Sequence, residues 1–257
     1  MPPFLDSHAH LADPAFDADR DAALGRAREA GAAGVVCIGE SISAAERARS
    51  IAADHPDVWF TAGVHPHDAA GFDPVRDLPR LRELVDAGAV AVGECGLDYH
   101  YDHAPRDTQR RVLDRQLALA AELGRPLVVH SRDADADTHA LLRDAERAGV
   151  TGVLHCFTGP AALAEAAVDA GWCVSFSGMV TFKRWDNAAA LAAVPPDRLL
   201  AESDAPYLAP APDRGRRNEP AWVARTVARL AELRGADPTE LGAQTVANAR
   251  RLFRLPA

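Results

Sequence analysis

The segment 107–131, DTQRRVLDRQLALAAELGRPLVVHS, contains one helix followed directly by one strand. Leu113, Leu117 and Ala120 recur at helical spacing on one face, and Gly124, with Pro126 just beyond it, marks the helix end. The apolar run that follows (126–131) has the length and composition of a buried strand. A long helix that leads directly into a buried strand is typical of a parallel sheet, in which helices connect neighbouring strands.

The same strand and helix alternation recurs along the whole chain. Eight apolar runs are predicted as strands: FLDSH (4–8), GVVCIG (34–39), VWFTAGV (58–64), AVAVGECG (89–96), PLVVHS (126–131), GVLHCF (152–157), CVSFSG (173–178) and RLLAES (198–203). Eight such units predict an α/β fold of the TIM type, a (β/α)8 barrel. A doubly wound open sheet is the alternative, but no GxGxxG motif follows the first strand. We therefore predict one domain over 1–257, closed by helices within 219–254.

Composition limits the class of protein. Apolar residues make up 48% of the 257 residues, which is enough for a large core, and the net charge is −9. No apolar run approaches the roughly 20 residues that cross a bilayer, and the N-terminus has no signal-peptide pattern. The four cysteines lie far apart, in or beside predicted strands: Cys37, Cys95, Cys156 and Cys173. Buried, reduced thiols and a cytoplasmic protein are therefore expected.

Metal-binding side chains occur at the ends of five predicted strands. His8 and His10 lie two positions apart, so a strand end would aim both imidazoles at one place. In a (β/α)8 barrel the active site lies at the C-terminal ends of the strands. We therefore predict that six groups converge there as a metal site: His8, His10, Glu94, His130, His155 and Asp204. The third strand also leads to His65 and His67.

The ligand types indicate two metal ions. Four imidazoles and two carboxylates suit Zn²⁺, Mn²⁺, Fe²⁺ or Co²⁺, with Mg²⁺ possible if water completes its shell. Six groups exceed the ligands of one catalytic zinc and suit two ions about 3.5–4 Å apart. Two such ions need a bridging anion, which in many binuclear barrel hydrolases is a carboxylated lysine. Lys183 is the only lysine and follows the seventh strand on a predicted helix or loop, so Glu94 at the end of the fourth strand is predicted to bridge the ions through its two oxygens instead. Cys95 and Cys156 each follow a predicted ligand by one residue and should face away from it.

Nine motifs, in order, resemble the TatD family of metal-dependent deoxyribonucleases, which are amidohydrolase-like barrels. The motifs are DSHAHL (6–11), GVHPH (63–67), AVGECGLDY (91–99), PLVVHSRDA (126–134), GVLHCFTG (152–159), SGMVTFK (177–183), AESDAPYLAP (201–210), RRNEP (216–220) and TVANARRLF (245–253). They cover essentially the whole chain. Ala9 stands where the family often has cysteine, and Ser203 replaces the usual threonine, but neither change affects a predicted ligand.

The resemblance implies a function for the predicted metal site. It implies two divalent metals on the six groups named above and hydrolysis of DNA phosphodiester bonds by a metal-activated hydroxide. In this family the reaction is often a magnesium-dependent 3′-to-5′ exonuclease that favours single strands. Mg²⁺ or Mn²⁺ is therefore expected for activity, with Zn²⁺ possible. The expected partner is DNA, held by its phosphate backbone near a strand end, with no membrane and no obligate protein partner.

Further residues near the predicted site are given roles in this reaction. Asp204 is expected to accept or pass on the proton of the attacking water, and Glu202 to orient Asp204 or a bound water. His65 is expected to contact phosphate or to protonate the departing 3′-oxygen. Substrate contacts are predicted for Arg132, Arg214, Arg216, Arg217, Asn218 and Tyr99, the arginines through phosphate and the tyrosine through a base.

Two other classes of function stay open at this point. A barrel with two metals also suits hydrolysis of a small-molecule ester, lactone or amide, because a fold does not determine a function. RNA or aminoacyl-tRNA is a further alternative substrate, since no residue identifies a reader of the 2′-hydroxyl.

Overall fold

The structure is a computed structural model that describes residues 1–256. Within this range eight strands form, one in each predicted run: β1 (Phe4–Ala9), β2 (Ala32–Cys37), β3 (Val58–Phe60), β4 (Val92–Asp98), β5 (Leu127–Arg132), β6 (Gly152–Leu154), β7 (Cys173–Phe176) and β8 (Leu199–Ala201). Several are shorter than predicted, because the backbone leaves the ladder where the site residues begin. In β3, for example, only three of the seven predicted residues are in the strand.

Helices connect successive strands, as the alternation predicts. They are α1 (Arg20–Glu29), α2 (Ile42–Asp54), α3 (Pro74–Asp86), α4 (Arg106–Leu123), α5 (Asp135–Ala148), α6 (Ala161–Asp169), α7 (Ala188–Ala193), α8 (Val223–Arg234) and α9 (Pro238–Phe253). α4 ends at Gly124 in the left-handed conformation (φ 60°), as the sequence predicts. α8 and α9 follow the last strand. Within residues 1–256 no helix is both long and apolar enough to cross a bilayer.

All the strands pair in parallel and in chain order. β1, β2 and β3 form one sheet, and β4 to β8 form the other. A bridge between Ala62 and Val92 joins the two sheets on one side. On the other side the Asp204 N–H donates to the His8 carbonyl (2.9 Å) and the His10 N–H donates to that of Ala205 (2.7 Å). The predicted TIM-barrel-like α/β fold is confirmed, and sequential strand order excludes the doubly wound alternative.

The core has two parts. The larger part lies between the strands and the surrounding helices. The smaller part is inside the ring of strands and includes Leu5, Val36 and Val128, together with Val246 and Phe253 from α9. α9 therefore closes the end of the ring from which the strands start, and the polar groups are left at the opposite end. The four cysteines are free.

Candidate metal centre

The six predicted ligands come together at the C-terminal ends of the strands. β1 carries His8 and leads to His10, β4 carries Glu94, and β5 carries His130. His155 follows β6 directly, and Asp204 lies three residues after β8. Glu94 lies at the centre of this arrangement and is almost completely buried.

One carboxylate oxygen of Glu94 faces the first group of ligand atoms. Glu94 Oε2 lies 3.3 Å from His8 Nε2 and 3.7 Å from His10 Nε2. Asp204 Oδ1 lies 3.7 Å and 3.3 Å from the same two nitrogens, and the nitrogens are 3.3 Å apart. We call these four residues the His8 group.

The other oxygen of Glu94 faces three more histidines. Glu94 Oε1 lies 2.8 Å from His155 Nε2, 3.3 Å from His65 Nε2 and 3.4 Å from His130 Nδ1. We call Glu94 and these three residues the His130 group. The carboxylate of Glu94 thus belongs to both groups, one oxygen to each.

The atoms of the His8 group fit a bound cation. For a tetrahedral ion held at about 2.0–2.2 Å, the ligand atoms lie about 3.3–3.6 Å from one another. The five distances measured within the group span 3.3–3.7 Å. Glu94 Oε2 is buried and makes no hydrogen bond within the described residues, although an unpaired buried oxygen is costly. A divalent cation would satisfy this oxygen and the two facing imidazoles together.

Three of the histidines each have a further carboxylate at the ring nitrogen that does not face the ligand group. His10 Nδ1 contacts Glu40, His130 Nε2 lies 3.0 Å from Asp98 Oδ2, and His155 Nδ1 lies 3.3 Å from Glu202 Oε1. Histidines that bind metals in proteins commonly hold their other nitrogen against a carboxylate in this way, which orients the ring. The arrangement therefore supports metal binding by a second, independent feature.

Two of these carboxylates were missed in the sequence, although each left a signal. Glu40 directly follows the second predicted strand, so it also stands at a C-terminal strand end. Asp98 lies four residues after Glu94 on the same strand, so alternation places both on one face. His67 has no predicted role from the sequence, but its Nε2 also lies 3.0 Å from Asp98 Oδ2.

Charge within the site changes the pKa of its central groups. Burial alone would raise the pKa of Glu94, but the charges of His155, His65 and His8 outweigh burial and hold that pKa well below its ordinary value. Burial lowers the pKa of His155, yet Glu94 and Glu202 outweigh it and raise that pKa to about 10. With no cation bound, His155 therefore carries a proton at neutral pH.

Metal binding is expected to release protons near pH 7. Burial opposes protonation of His10, but its bonds to Asp204 and Glu40 raise its pKa well above the ordinary value. A cation must displace the protons of His10 and His155, so its affinity should fall as the pH is lowered. Calorimetric titration with Mn²⁺ at pH 7, in two buffers of different ionisation enthalpy, measures this release. Equal heats in the two buffers would contradict it.

Glu202 lies behind His155, whereas the sequence predicts that it orients Asp204 or a bound water. Its Oε1 accepts the Cys156 backbone N–H (2.7 Å) and faces His155 Nδ1. Both partners follow β6, so Glu202 fixes the end of that strand. In the structure its contacts therefore position a histidine and not Asp204.

Replacing Glu202 by glutamine is expected to weaken metal binding about 10–100-fold, the usual effect of removing such a partner. The amide keeps the size of the side chain but removes the charge that holds His155. Measured Mn²⁺ affinity is the readout. The control is Glu46→Gln, an exposed residue paired with Arg80 on the surface, which should leave the affinity unchanged. Equal affinities in the two variants would remove Glu202 from the site.

The thiols next to the predicted ligands have other neighbours. Cys95 Sγ donates to the Val128 carbonyl (3.5 Å), and Cys156 Sγ lies 3.3 Å from Ser177 Oγ. Burial raises the pKa of both thiols, so both stay protonated at neutral pH. The expectation that neither cysteine acts as a ligand stays a prediction.

Two of the predicted substrate contacts are free to bind an anion. Arg132 ends β5, and its guanidinium lies 5.1 Å from the centre of the Tyr101 ring. Arg214 lies 4.1 Å from the centre of the Phe182 ring. Within residues 1–256 neither arginine forms a salt bridge, so each guanidinium keeps its hydrogen-bonding capacity for a phosphate.

The other predicted substrate contacts already have partners inside the protein. Asn218 is buried, and its amide donates to the carbonyls of Ser203 and Tyr207 (both 2.7 Å). The remaining three bind carboxylates: Arg217 binds Asp19, Arg216 binds Asp213, and the Tyr99 hydroxyl donates to Asp137. Asn218, Arg217 and Tyr99 thus serve the fold in this structure, a role that only their long-range contacts reveal.

Comparison with known proteins identifies the family. The profile of the family described as TatD related DNase matches residues 5–254. A protein from Cronobacter sakazakii named 3′-5′ ssDNA/RNA exonuclease TatD is 41% identical over 256 residues, which cover 97% of each chain. A Bacillus subtilis protein, named an uncharacterized metal-dependent hydrolase, YabD, is 37% identical over 98% of this chain and 99% of its own.

A solved structure extends the likeness to three dimensions. YjjV, a TatD homologue from Escherichia coli K12, superposes with a TM-score of 0.92 at 30% identity, over 98% of both chains. Sequence and fold therefore agree over nearly the whole length. The chain belongs to the TatD family of metal-dependent hydrolases.

Proposed function

We propose that this protein hydrolyses phosphodiester bonds in DNA, as a divalent-metal-dependent exonuclease that removes nucleotides from the 3′ end of single strands. The single observation that carries the proposal is the position of Glu94 between the His8 group and the His130 group, with one oxygen in each. Two such groups suit the binding of two cations. The identity of the substrate rests on the relatives named ssDNA/RNA exonucleases.

When bound, two cations would lower the pKa of a coordinated water and neutralise charge on the phosphoryl oxygens. The protein supplies the groups that move protons around them. Burial raises the pKa of Asp204, but hydrogen bonding to His10 and the charges of His10 and His8 outweigh it, so the net shift is downward. Asp204 is thus ionised at neutral pH and can accept the proton of the attacking water.

His65 is suited to donate a proton. Its Nδ1 accepts the backbone N–H of His67 (3.2 Å), so the neutral ring carries its proton on Nε2. That nitrogen faces Glu94 Oε1 at 3.3 Å and therefore points into the site. Because Nδ1 of His65 is occupied by the His67 N–H, the ring can bind a cation through Nε2 only by losing its last proton. We therefore assign the Nε2–H of His65 to the phosphate or to the leaving 3′-oxygen, and the other three members of the His130 group to the cation.

Arg132 and Arg214 are the arginines that we assign to substrate phosphates. Both lack a carboxylate partner within the described residues, and both guanidinium groups lie against aromatic rings. Guanidinium binds phosphate through two parallel hydrogen bonds, and contacts with the backbone carry no sequence information. The enzyme should therefore cleave single strands of any sequence.

RNA is the second candidate substrate, because the relatives' names include it. The test is a screen of 3′-blocked, 5′-blocked and unblocked DNA and RNA oligonucleotides with Mg²⁺, Mn²⁺ or Zn²⁺. Nucleotide release from DNA that stops with a 3′ block supports the proposal, and equal rates on RNA would widen it. Turnover only of small esters, lactones or amides would overturn it.

Asp204→Asn is expected to lower DNA hydrolysis by about 100-fold or more, the size of a lost acid–base step. The control is Asp197→Asn, an exposed carboxylate next to β8 at the opposite end of the strands. Rates on single-stranded DNA with Mn²⁺ are compared for both variants. An active Asp204→Asn variant would remove this residue from the reaction.

A further inference from the structure

The exposed aromatic rings of this protein lie in one region. Among the Phe, Tyr and Trp residues in 1–256, two have more than half of their surface exposed, namely Tyr101 (54%) and Tyr207 (53%). Aromatic side chains usually bury most of their surface, because water contact with the ring is unfavourable. Two exposed rings therefore need a reason, and both stand beside the candidate metal centre.

Tyr207 stands on the side of the His8 group. Its ring centre lies 5.7 Å from that of His10, with the planes nearly perpendicular at 70°. The hydroxyl donates to Asp13 Oδ2 (3.2 Å), which holds the ring in position. The ring is thus fixed next to a predicted metal ligand while about half of it faces solvent.

Tyr101 stands on the side of the His130 group. Its ring centre lies 5.7 Å from that of His67, which in turn lies 4.4 Å from His65. The Tyr101 backbone N–H donates to Asp98 Oδ1 (2.8 Å), and the other oxygen of Asp98 faces His130. The tyrosine is therefore attached to the same carboxylate that orients a predicted ligand.

Two further side chains lie close to the Tyr101 ring. The His103 ring lies nearly parallel to it, with 13° between the planes and 5.8 Å between the centres. The Arg132 guanidinium lies 5.1 Å from the centre of the Tyr101 ring. The guanidinium lies over one face of the ring, and about half of the tyrosine is still exposed. The exposed ring surface is available to a base, and the unpaired guanidinium to its phosphate.

We propose that Tyr101 and Tyr207 are nucleobase-binding sites, which stack on the bases on the two sides of the phosphate that is cleaved. The inference rests on the proposed function, because the phosphate must lie between the two groups joined by Glu94. Stacking uses the face of a base, which all bases share, so the two sites do not select sequence. Bases in a duplex are already stacked on each other, so the two rings favour single strands.

The test uses oligonucleotides that lack a base at one chosen position. Single-stranded DNA with a tetrahydrofuran abasic unit at the last or the next-to-last position keeps every phosphate but removes one base. For the intact oligonucleotide, Tyr101→Ala and Tyr207→Ala should each raise KM by about 5–150-fold, the measured range for one stacked base. Tyr101→Phe should keep the wild-type KM, since the ring remains.

If the DNA lacks the base that a tyrosine contacts, changing that tyrosine to alanine should not alter KM. With the abasic unit at one of the two positions, wild type and Tyr101→Ala should have equal KM. With the abasic unit at the other position, wild type and Tyr207→Ala should have equal KM. This pairing separates a base contact from a general loss of structure, which would lower activity on every substrate. Val75→Ala, a change at an exposed apolar residue on α3, should leave KM unchanged on all the oligonucleotides.

Binding provides a second readout that does not need turnover. A 2-aminopurine base at the end of the oligonucleotide loses fluorescence when it stacks, so its quenching by the Asp204→Asn protein with Mn²⁺ reports the contact directly. Quenching should be lost when one of the two tyrosines is also changed to alanine. If wild type cleaves intact and abasic DNA with the same KM, and neither tyrosine affects quenching, the inference is wrong although the proposed nuclease stands. If no oligonucleotide is cleaved with any metal, the proposed function fails first.

Discussion

Glu94→Gln is expected to abolish hydrolysis, with a loss of about a thousandfold or more. Metal ions supply several kcal/mol of transition-state stabilisation, and each 1.4 kcal/mol or so is a factor of ten in rate. The glutamine has nearly the same shape, but it has no charge and has an N–H₂ in place of one oxygen. One of the two groups would then meet an amide nitrogen, which has no lone pair to offer a cation.

Metal content distinguishes this effect from a loss of fold. We expect the variant to bind fewer Mn²⁺ ions than wild type when both are measured by elemental analysis after dialysis. The control is Glu219→Gln, because Glu219 is also buried but binds Arg26 away from the site. That change should lower the unfolding temperature and leave metal content and rate per folded molecule unchanged. Full metal content and activity in Glu94→Gln would refute the central position of this residue.

Gly96→Ala is expected to lower the free energy of unfolding by more than about 3 kcal/mol, or to prevent folding. Gly96 has φ +139°, a conformation that residues with a side chain rarely adopt. An added Cβ would lie 2.0 Å from the His130 carbonyl oxygen, which belongs to the backbone of the neighbouring strand. That oxygen cannot move without moving His130, so any folded variant should also bind metal weakly.

Urea unfolding of the two proteins measures the effect, and a second glycine provides the control. Gly25 lies within α1, has no atom within 4 Å of an added Cβ and does not have a positive φ. Alanine there should stabilise the protein by up to about 1 kcal/mol, because glycine is the poorer helix former. If Gly96→Ala behaved like Gly25→Ala, the close approach of β4 and β5 would not be required.

The two predictions concern the same short segment, GECG (93–96). Its glutamate belongs to both ligand groups, and its second glycine allows β5 to approach closely enough to bring His130 within 3.4 Å of that glutamate. Chemistry and packing are therefore combined in four residues. Glu94→Gln should therefore show mainly as a loss of bound metal and rate, whereas Gly96→Ala should show first as a loss of stability.

The sequence by itself determined the strands, the helices and the parallel fold. These follow from local patterns: apolar runs of strand length, helical periodicity and a glycine at a helix end, as at Gly124. It also determined which side chains stand at strand ends, because a parallel barrel brings all its C-terminal strand ends to one rim. His8 and Asp204 are far apart in the chain, yet this rule places them together. In the structure His8 Nε2 lies 3.7 Å from Asp204 Oδ1.

Only the tertiary structure decided what each polar side chain contacts. Glu202 lies behind His155, Arg217 binds Asp19, and Asn218 bonds to two carbonyl groups inside the protein. The sequence predicted other roles for all three, since it shows only that a charged or polar group is near the site. Hydrogen bonds and ion pairs depend on atoms within about 3–4 Å. Such distances arise from packing between segments that no local pattern relates, whereas secondary structure depends on neighbours in the chain.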